Sequence, residues 1–201
     1  MVKYLLKHLK SILASGVIFA LVAFMVVMFF PKYYSAGSQL LIVNRSFNST
    51  DPYTQVKAAE RIGENIAKVA DTTDFYKKTL LASQSFDKQY WQTLEERDRR
   101  EKWGQNVKVS MNYNSSLMNV VTYAKTKQEA VNLNVAVSQT LISRSAEYVG
   151  TDVALKNVND PLASRFFVRP SLILSSFMGL VFGILFGILW IVSNKKRFMS
   201  F

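Results

Sequence analysis

Side chains that do covalent or acid–base chemistry are scarce in this chain. It has one histidine, His8, and no cysteine. A serine–histidine triad or a histidine metal site needs imidazoles among carboxylates and hydroxyls. His8 instead stands in a basic N-terminal segment, far in sequence from any acid. Without cysteine there is neither a disulfide nor a thiolate metal site. All fourteen Asp and Glu residues fall between positions 51 and 160. None forms a pair in an apolar frame that would raise a pKa for proton transfer. Glu95 and Glu96 lie among arginines, which favours the ionised form. No glycine-rich phosphate loop occurs in the soluble part. The expectation is a protein with no catalytic residue, no metal and no cofactor.

Two patterns carry more information. Gly179, Gly183 and Gly187 recur every four residues, giving two overlapping G-x-x-x-G motifs inside an apolar run. Every fourth residue lies near one helix face, and bare glycines let another helix approach closely. The partner is either the first apolar segment or a neighbouring copy. The second pattern is the dense run Glu95–Lys102. Mixed signs at this density make an exposed helical surface. Its basic members, Arg97, Arg99, Arg100 and Lys102, are candidates for contact with a polysaccharide or another subunit. Phe198 and Phe201, near the C-terminus, are candidates for docking a cytoplasmic partner or for resting in the membrane interface.

The elements that position these residues are set by two uncharged runs, Ile12–Phe30 and Leu172–Val192. Each has about 20 residues, enough for a helix to cross roughly 30 Å of hydrocarbon. The first is too long for the apolar part of a cleaved signal and is expected to remain as an anchor. Both ends are basic and without acid, through Lys3, Lys7 and Lys10 and through Lys195, Lys196 and Arg197, so both are expected in the cytoplasm. Arg165 and Arg169 weaken the bias at the second span, but long domains translocate largely regardless of such charges. The net charge of +11 therefore has a membrane explanation, and nucleic acid is not an expected partner. The resulting organisation is a cytoplasmic N-terminus 1–11, a span 12–30, an extracytoplasmic α/β domain 31–170, a span 171–192 and a cytoplasmic tail 193–201. The class is an α+β membrane protein with two transmembrane helices, both termini inside.

Within the domain, Gln39–Val43 reads as a strand. Asp51 is expected to cap, and Pro52 to open, a helix whose apolar stripe is Val56, Ala59, Ile62, Ile66 and Val69. Asp74–Lys102 reads as one or two further helices. Val107–Tyr113 and Leu117–Tyr123 form a hairpin. Thr126 and Glu129 make a capping box for a long helix that Gly150 ends. Ala130, Leu133, Val137 and Leu141 line one of its faces; Val131, Val135, Ile142 and Ala146 line another. Asp152–Val158 reads as the last strand, broken by a turn at Pro161. Pro170 marks a second membrane-proximal turn.

These features together resemble the bacterial polysaccharide co-polymerases, the Wzz-type chain-length determinants and their capsule-system relatives. The resemblance rests on the in–out–in layout, on YYSAGSQLLIV after the first span, and on VVTYAKTKQEAVNLNVAVSQTLI with its T-K-x-E-A-x-x-x-N helix. It also rests on the closing V-x-L-x-x-V-x-D-P strand, Pro170 and the glycine-rich second span. It implies a short, capsule-protein-like member without a kinase domain. The implied role is a non-enzymatic regulator of chain length for an O-antigen, capsule or exopolysaccharide. The implied partners are the membrane, further copies in a homo-oligomeric ring, a polysaccharide polymerase and the growing polymer; some relatives also engage a cytoplasmic tyrosine kinase. The implied place is the bacterial inner membrane, with the central domain in the periplasm or outside the cell. On this reading the polymer meets a repeated polar surface rather than a pocket. Two alternatives stay open: a two-span sensor or ligand-binding module, and an accessory subunit of an exporter or tyrosine-kinase system.

Overall fold

The computed structural model describes residues 8–44, 51–82, 86–150 and 153–198. Lys3, Lys7, residues 45–50, Asp152 and Phe201 lie outside them, as do the side chains of 194–198 and therefore that of Phe198. Among the described residues are seven helices and one four-stranded antiparallel sheet. They fall into two compact units, Met1–Lys32 with Val168–Phe201, and Tyr33–Phe167.

The first unit is a pair of helices, α1 (Leu9–Met28) and α7 (Leu172–Phe198). Both are long and apolar enough to cross a membrane, the second over Leu172–Ser193. α1 stops short of the proline at 31. The Phe29 amide donates to the Val26 carbonyl, tightening the last turn, and Pro31 disfavours helix at the residue before it. Pro170 stands two residues before α7, and the Arg169–Pro170 peptide is cis.

The second unit is a sheet of β1 (Tyr34–Asn44), β2 (Val107–Met111), β3 (Leu117–Ala124) and β4 (Val153–Ala163) in the order β2-β3-β1-β4. Its helices are α2 (Pro52–Ala70), α3 (Thr73–Ala82), α4 (Lys88–Gln92), α5 (Glu96–Asn106) and α6 (Lys127–Val149). One sheet face is buried: Ala36, Ser38, Leu40 and Ile42 of β1 alternate inward, as do Met118, Val120 and Thr122 of β3. This period of two is what a half-covered antiparallel sheet demands. β1 is longer than expected. Its first half, YSAGSQ, has no strand-forming run of its own. It is extended because β3 and β4 pair with it on both sides, a case of tertiary context overriding propensity.

Several local expectations need correction. Asp51 makes no side-chain capping bond at α2, although Pro52 does open that helix. The region 74–102 holds three helices rather than one or two. Pro161 does not break the last strand, because β4 runs on to Ala163. β4 is an edge strand, and its register against β1 shifts twice: Leu40 faces Asn157, Gln39 faces Asn159 and Gly37 faces Leu162. The extra β4 residues bulge there, so a residue without an N–H costs the ladder little.

Helix α6 lies on the sheet. Thr126 Oγ1 accepts from the Glu129 amide at its start, and Gly150 ends it with φ of +96°. Ala130, Leu133, Val137 and Leu141 are buried as expected, whereas Ile142 and Ala146 are exposed. Ala136 is buried as well, and four further inward positions are polar: Asn134, Ser138, Thr140 and Ser145. Each is hydrogen-bonded, as burial requires. Asn134 Nδ2 donates to the carbonyls of Val120 (2.9 Å) and Ala36 (3.1 Å), and the Ser138 and Ser38 hydroxyls meet at 3.0 Å. Opposite, Trp103 closes the aromatic core with Phe75, Tyr76 and Trp91, and its indole donates to the Ala70 carbonyl at 2.9 Å.

Candidate functional site

The three glycines of α7 all face α1. A methyl group placed on Gly179 would come within 2.8 Å of the Phe19 carbonyl oxygen. One on Gly183 would come within 2.7 Å of the Ser15 carbonyl and 2.8 Å of Gly16 Cα, and one on Gly187 would meet the Ser15 hydroxyl. Within this unit the glycine face is therefore filled by the first apolar helix. Phe19 and Phe186 meet beside it, their ring centroids 5.4 Å apart.

The basic run divides. The Arg99 side chain is only 19% exposed and turns inward. It donates to the Leu94 carbonyl at 2.6 Å and lies over the Tyr76 ring, so it braces the turn between α4 and α5. Its Nε is buried and has no hydrogen-bond partner among the described residues. Arg100 is 61% exposed and pairs with Glu96 at 3.3 Å. Arg97 is exposed, with no ion-pair partner among the described residues. The Lys102 ammonium lies over the Tyr90 ring. The four residues therefore do not make one basic face. Glu96 is held below its usual carboxylate range, first by the hydrogen bond from the buried Tyr76 hydroxyl at 2.6 Å.

A concave feature of the domain lies elsewhere, at the sheet end where β1 begins and β3 finishes. Tyr34 pairs with Ala124 there. A cleft of about 210 Å³ opens at this end. Phe86, Trp91 and Leu133, all buried, make its apolar floor. Tyr33, Tyr90 and Tyr123 also line it, and Asp87, Asn106, Lys125 and Glu129 add polar groups. Tyr90 and Trp91 meet edge to face at 5.7 Å and 80°, so two ring planes form a corner. The ammonium groups of Lys102 and Lys125 both lie over Tyr90, 5.4 and 5.9 Å from its centroid. Asp87 Oδ1 accepts from the Gln89 amide at 2.9 Å and fixes α4. An apolar floor with a few convergent polar groups is the usual make-up of a small-ligand site.

Sequence reasoning missed this cleft because its residues come from five separate stretches. The only local signal was the aromatic density of Tyr90-Trp91 and Tyr33-Tyr34. Two further polar arrays stand apart from it. On the open sheet face, Asn159 donates to Gln39 at 2.7 Å, Gln39 to Asn119 at 3.1 Å, and Asn119 to Asn112. Between α3 and α6, Lys78 bridges Asp74 at 2.8 Å and Glu147 at 2.6 Å. Among the described residues no group of three or more carboxylate or imidazole side chains is placed to hold a metal ion.

No family model matches the chain, and no curated protein sequence matches it.

Proposed function

We propose that this protein is a non-enzymatic regulator of polymer chain length in the synthesis of a surface polysaccharide. It works as a membrane oligomer beside a polymerase. In this reading α1 and α7 span the bacterial plasma membrane with both termini in the cytoplasm, and Tyr33–Phe167 lies outside. The polysaccharide can be an O-antigen, a capsule or an exopolysaccharide.

The observation that carries the reading is the antiparallel pairing of β1 with β4, Ala36 facing Ala163. The domain takes its chain in and returns it at the same end of one sheet. In chain order one membrane-length helix precedes β1 and the other follows β4. Such an arrangement suits a globule held by both extremities against a bilayer, where identical copies meet side by side. The residues of the resemblance also occupy the elements that make this frame: the T-K-x-E-A-x-x-x-N segment opens α6 and ends in Asn134, which ties α6 to β1 and β3.

The test is deletion of the gene, followed by gel analysis of the surface polysaccharide. The expected result is a changed modal length and spread. An unchanged profile sinks the proposal. The cleft favours one second reading, an extracytoplasmic ligand-binding module that signals through the spans. Such a module would leave polymer length untouched on deletion while the cleft still bound its ligand.

A further inference from the structure

We infer that the cleft at the head of β1 is a binding site for one neutral pyranose ring. The inference deepens the chain-length reading and rests on it for the source of the sugar. The site itself is argued from its own chemistry.

Size sets the first limit. At about 210 Å³ the cleft falls below the ~300 Å³ at which sites for drug-sized ligands begin. It takes a single ring, with the rest of any chain left outside. The lining sets the second limit. Phe86 and Trp91 form a buried floor, and Tyr90 stands nearly at right angles to Trp91. A pyranose is amphipathic in the same way: its C–H faces are apolar and its rim is all hydroxyl. The C–H surface can lie on Tyr90, the exposed ring of the corner, once the flexible Lys102 and Lys125 stems over it give way. A tyrosine hydroxyl can donate to or accept from the rim.

The polar groups select among ring-sized ligands. Asp87 and Glu129 accept hydrogen bonds, Lys125 donates, and Asn106 does both. A hydroxyl both donates and accepts, so it can use every one of them. A purely apolar ligand would leave these groups without the water they lose. The lining carries two carboxylates, Asp87 and Glu129, against the two ammoniums of Lys102 and Lys125. Its charges balance, so an anionic ring, such as a uronate or a phosphorylated sugar, gains no net attraction. A quaternary ammonium would ordinarily suit an aromatic cage. Here the Lys102 and Lys125 ammoniums already lie over Tyr90 and repel a further cation. A neutral, hydroxyl-rich ring is the ligand class that fits all of these observations.

The experiment uses the full chain in lipid nanodiscs and three probes at millimolar concentration: methyl β-D-glucopyranoside, methyl β-D-glucuronide and choline. Ligand-observed saturation-transfer NMR reports binding. The expected result is transfer to the ring protons of the neutral glycoside. Its affinity should fall by roughly tenfold in Tyr90→Ala and by a comparable factor in Glu129→Gln, the scale of one lost stacking or hydrogen-bond contact. Glu129→Gln keeps the side chain's shape, so it serves if Tyr90→Ala lowers the melting temperature. No transfer to the glucoside, a preference for the glucuronide or choline, or equal transfer in both variants overturns the inference. Binding that persists while the gene deletion leaves polymer length unchanged keeps the sugar site and removes the chain-length reading. A length change without binding does the reverse.

Discussion

Ser15 Oγ lies 2.9 Å from the main-chain carbonyl of Gly183, on the opposite apolar helix, and 2.8 Å from the carbonyl of its own Ile12. One hydroxyl proton is shared between a local acceptor and a distant one. The distant bond is possible only because residue 183 has no side chain.

Gly183→Leu is therefore expected to separate α1 from α7. The first added carbon alone would fall 2.7 Å from the Ser15 carbonyl and 2.8 Å from Gly16 Cα, so backbone rather than a flexible tip must move. Overpacking of this kind costs about 1–3 kcal/mol or more. The chain lacks cysteine, so a Phe19→Cys/Phe186→Cys pair gives an unambiguous crosslinking readout. Crosslinking is expected in the parent and lost when Gly183→Leu is added. Retention of the crosslink would refute the close approach.

Asn134→Ala is expected to destabilise the domain strongly. It removes the side-chain donor from two buried carbonyls, those of Ala36 and Val120, and leaves Ala36 only the longer contact from the Thr122 hydroxyl at 3.5 Å among its side-chain donors. Each unsatisfied buried group costs about 1–3 kcal/mol, so the loss should exceed that of Asn132→Ala on the same helix. Hydrogen exchange of β1 and β3 amides in the full chain measures it. Equal protection in the two variants would contradict the role.

Arg97 and Arg99 should behave differently although two positions apart. Arg99→Ala removes the brace on the Leu94 carbonyl and is expected to cost about 1–3 kcal/mol. Arg97 is exposed and has no ion-pair partner among the described residues, so Arg97→Ala should stay within about 0.5 kcal/mol of the parent. Thermal melts of the two variants decide the matter. A silent Arg99→Ala would mean that the turn between α4 and α5 holds itself.

The Asp74–Lys78–Glu147 cluster makes stability depend on pH at both ends. Hydrogen bonds, first from Lys78 and then from Tyr148, hold the Asp74 carboxyl below its ordinary value near 3.8. Its contribution is present above that value and is lost as pH falls through the lower folded one. The Lys78 ammonium is held above its ordinary value of 10.5, first by Asp74 and then by Glu147. Its contribution is complete below 10.5 and is lost as pH rises further. Asp74→Asn should flatten the acid limb of a melting-temperature profile, and Lys78→Met the alkaline limb. All these groups are solvent-accessible and screened, so high salt should shrink both effects.

What the sequence disclosed follows physical lines. The apolar runs, the 126–150 helix and the 107–123 hairpin were legible because each is governed by local periodicity and caps. Asn134 stands within the T-K-x-E-A-x-x-x-N motif, yet its burial is not legible there, because a polar residue on a helix reads as solvent-facing until the carbonyls it serves are known. Pro161 misled for a related reason: a proline forbids strand only where its missing N–H matters, and strand order decides that. Arg97, Arg99, Arg100 and Lys102 looked alike as a charge run, but one packed against Leu94 and Tyr76 while its neighbours faced water. The cleft could not be read at all, since it exists only once Tyr33, Tyr90 and Glu129 meet at one end of the sheet.

The bulged, proline-bearing course of β4 has a consequence for crowding. β4 is one margin of the sheet, and the other is the five-residue β2. An interrupted margin and a very short one are poor templates for another chain's backbone. Copies of this domain brought close together would therefore resist zippering edge to edge into a fibre.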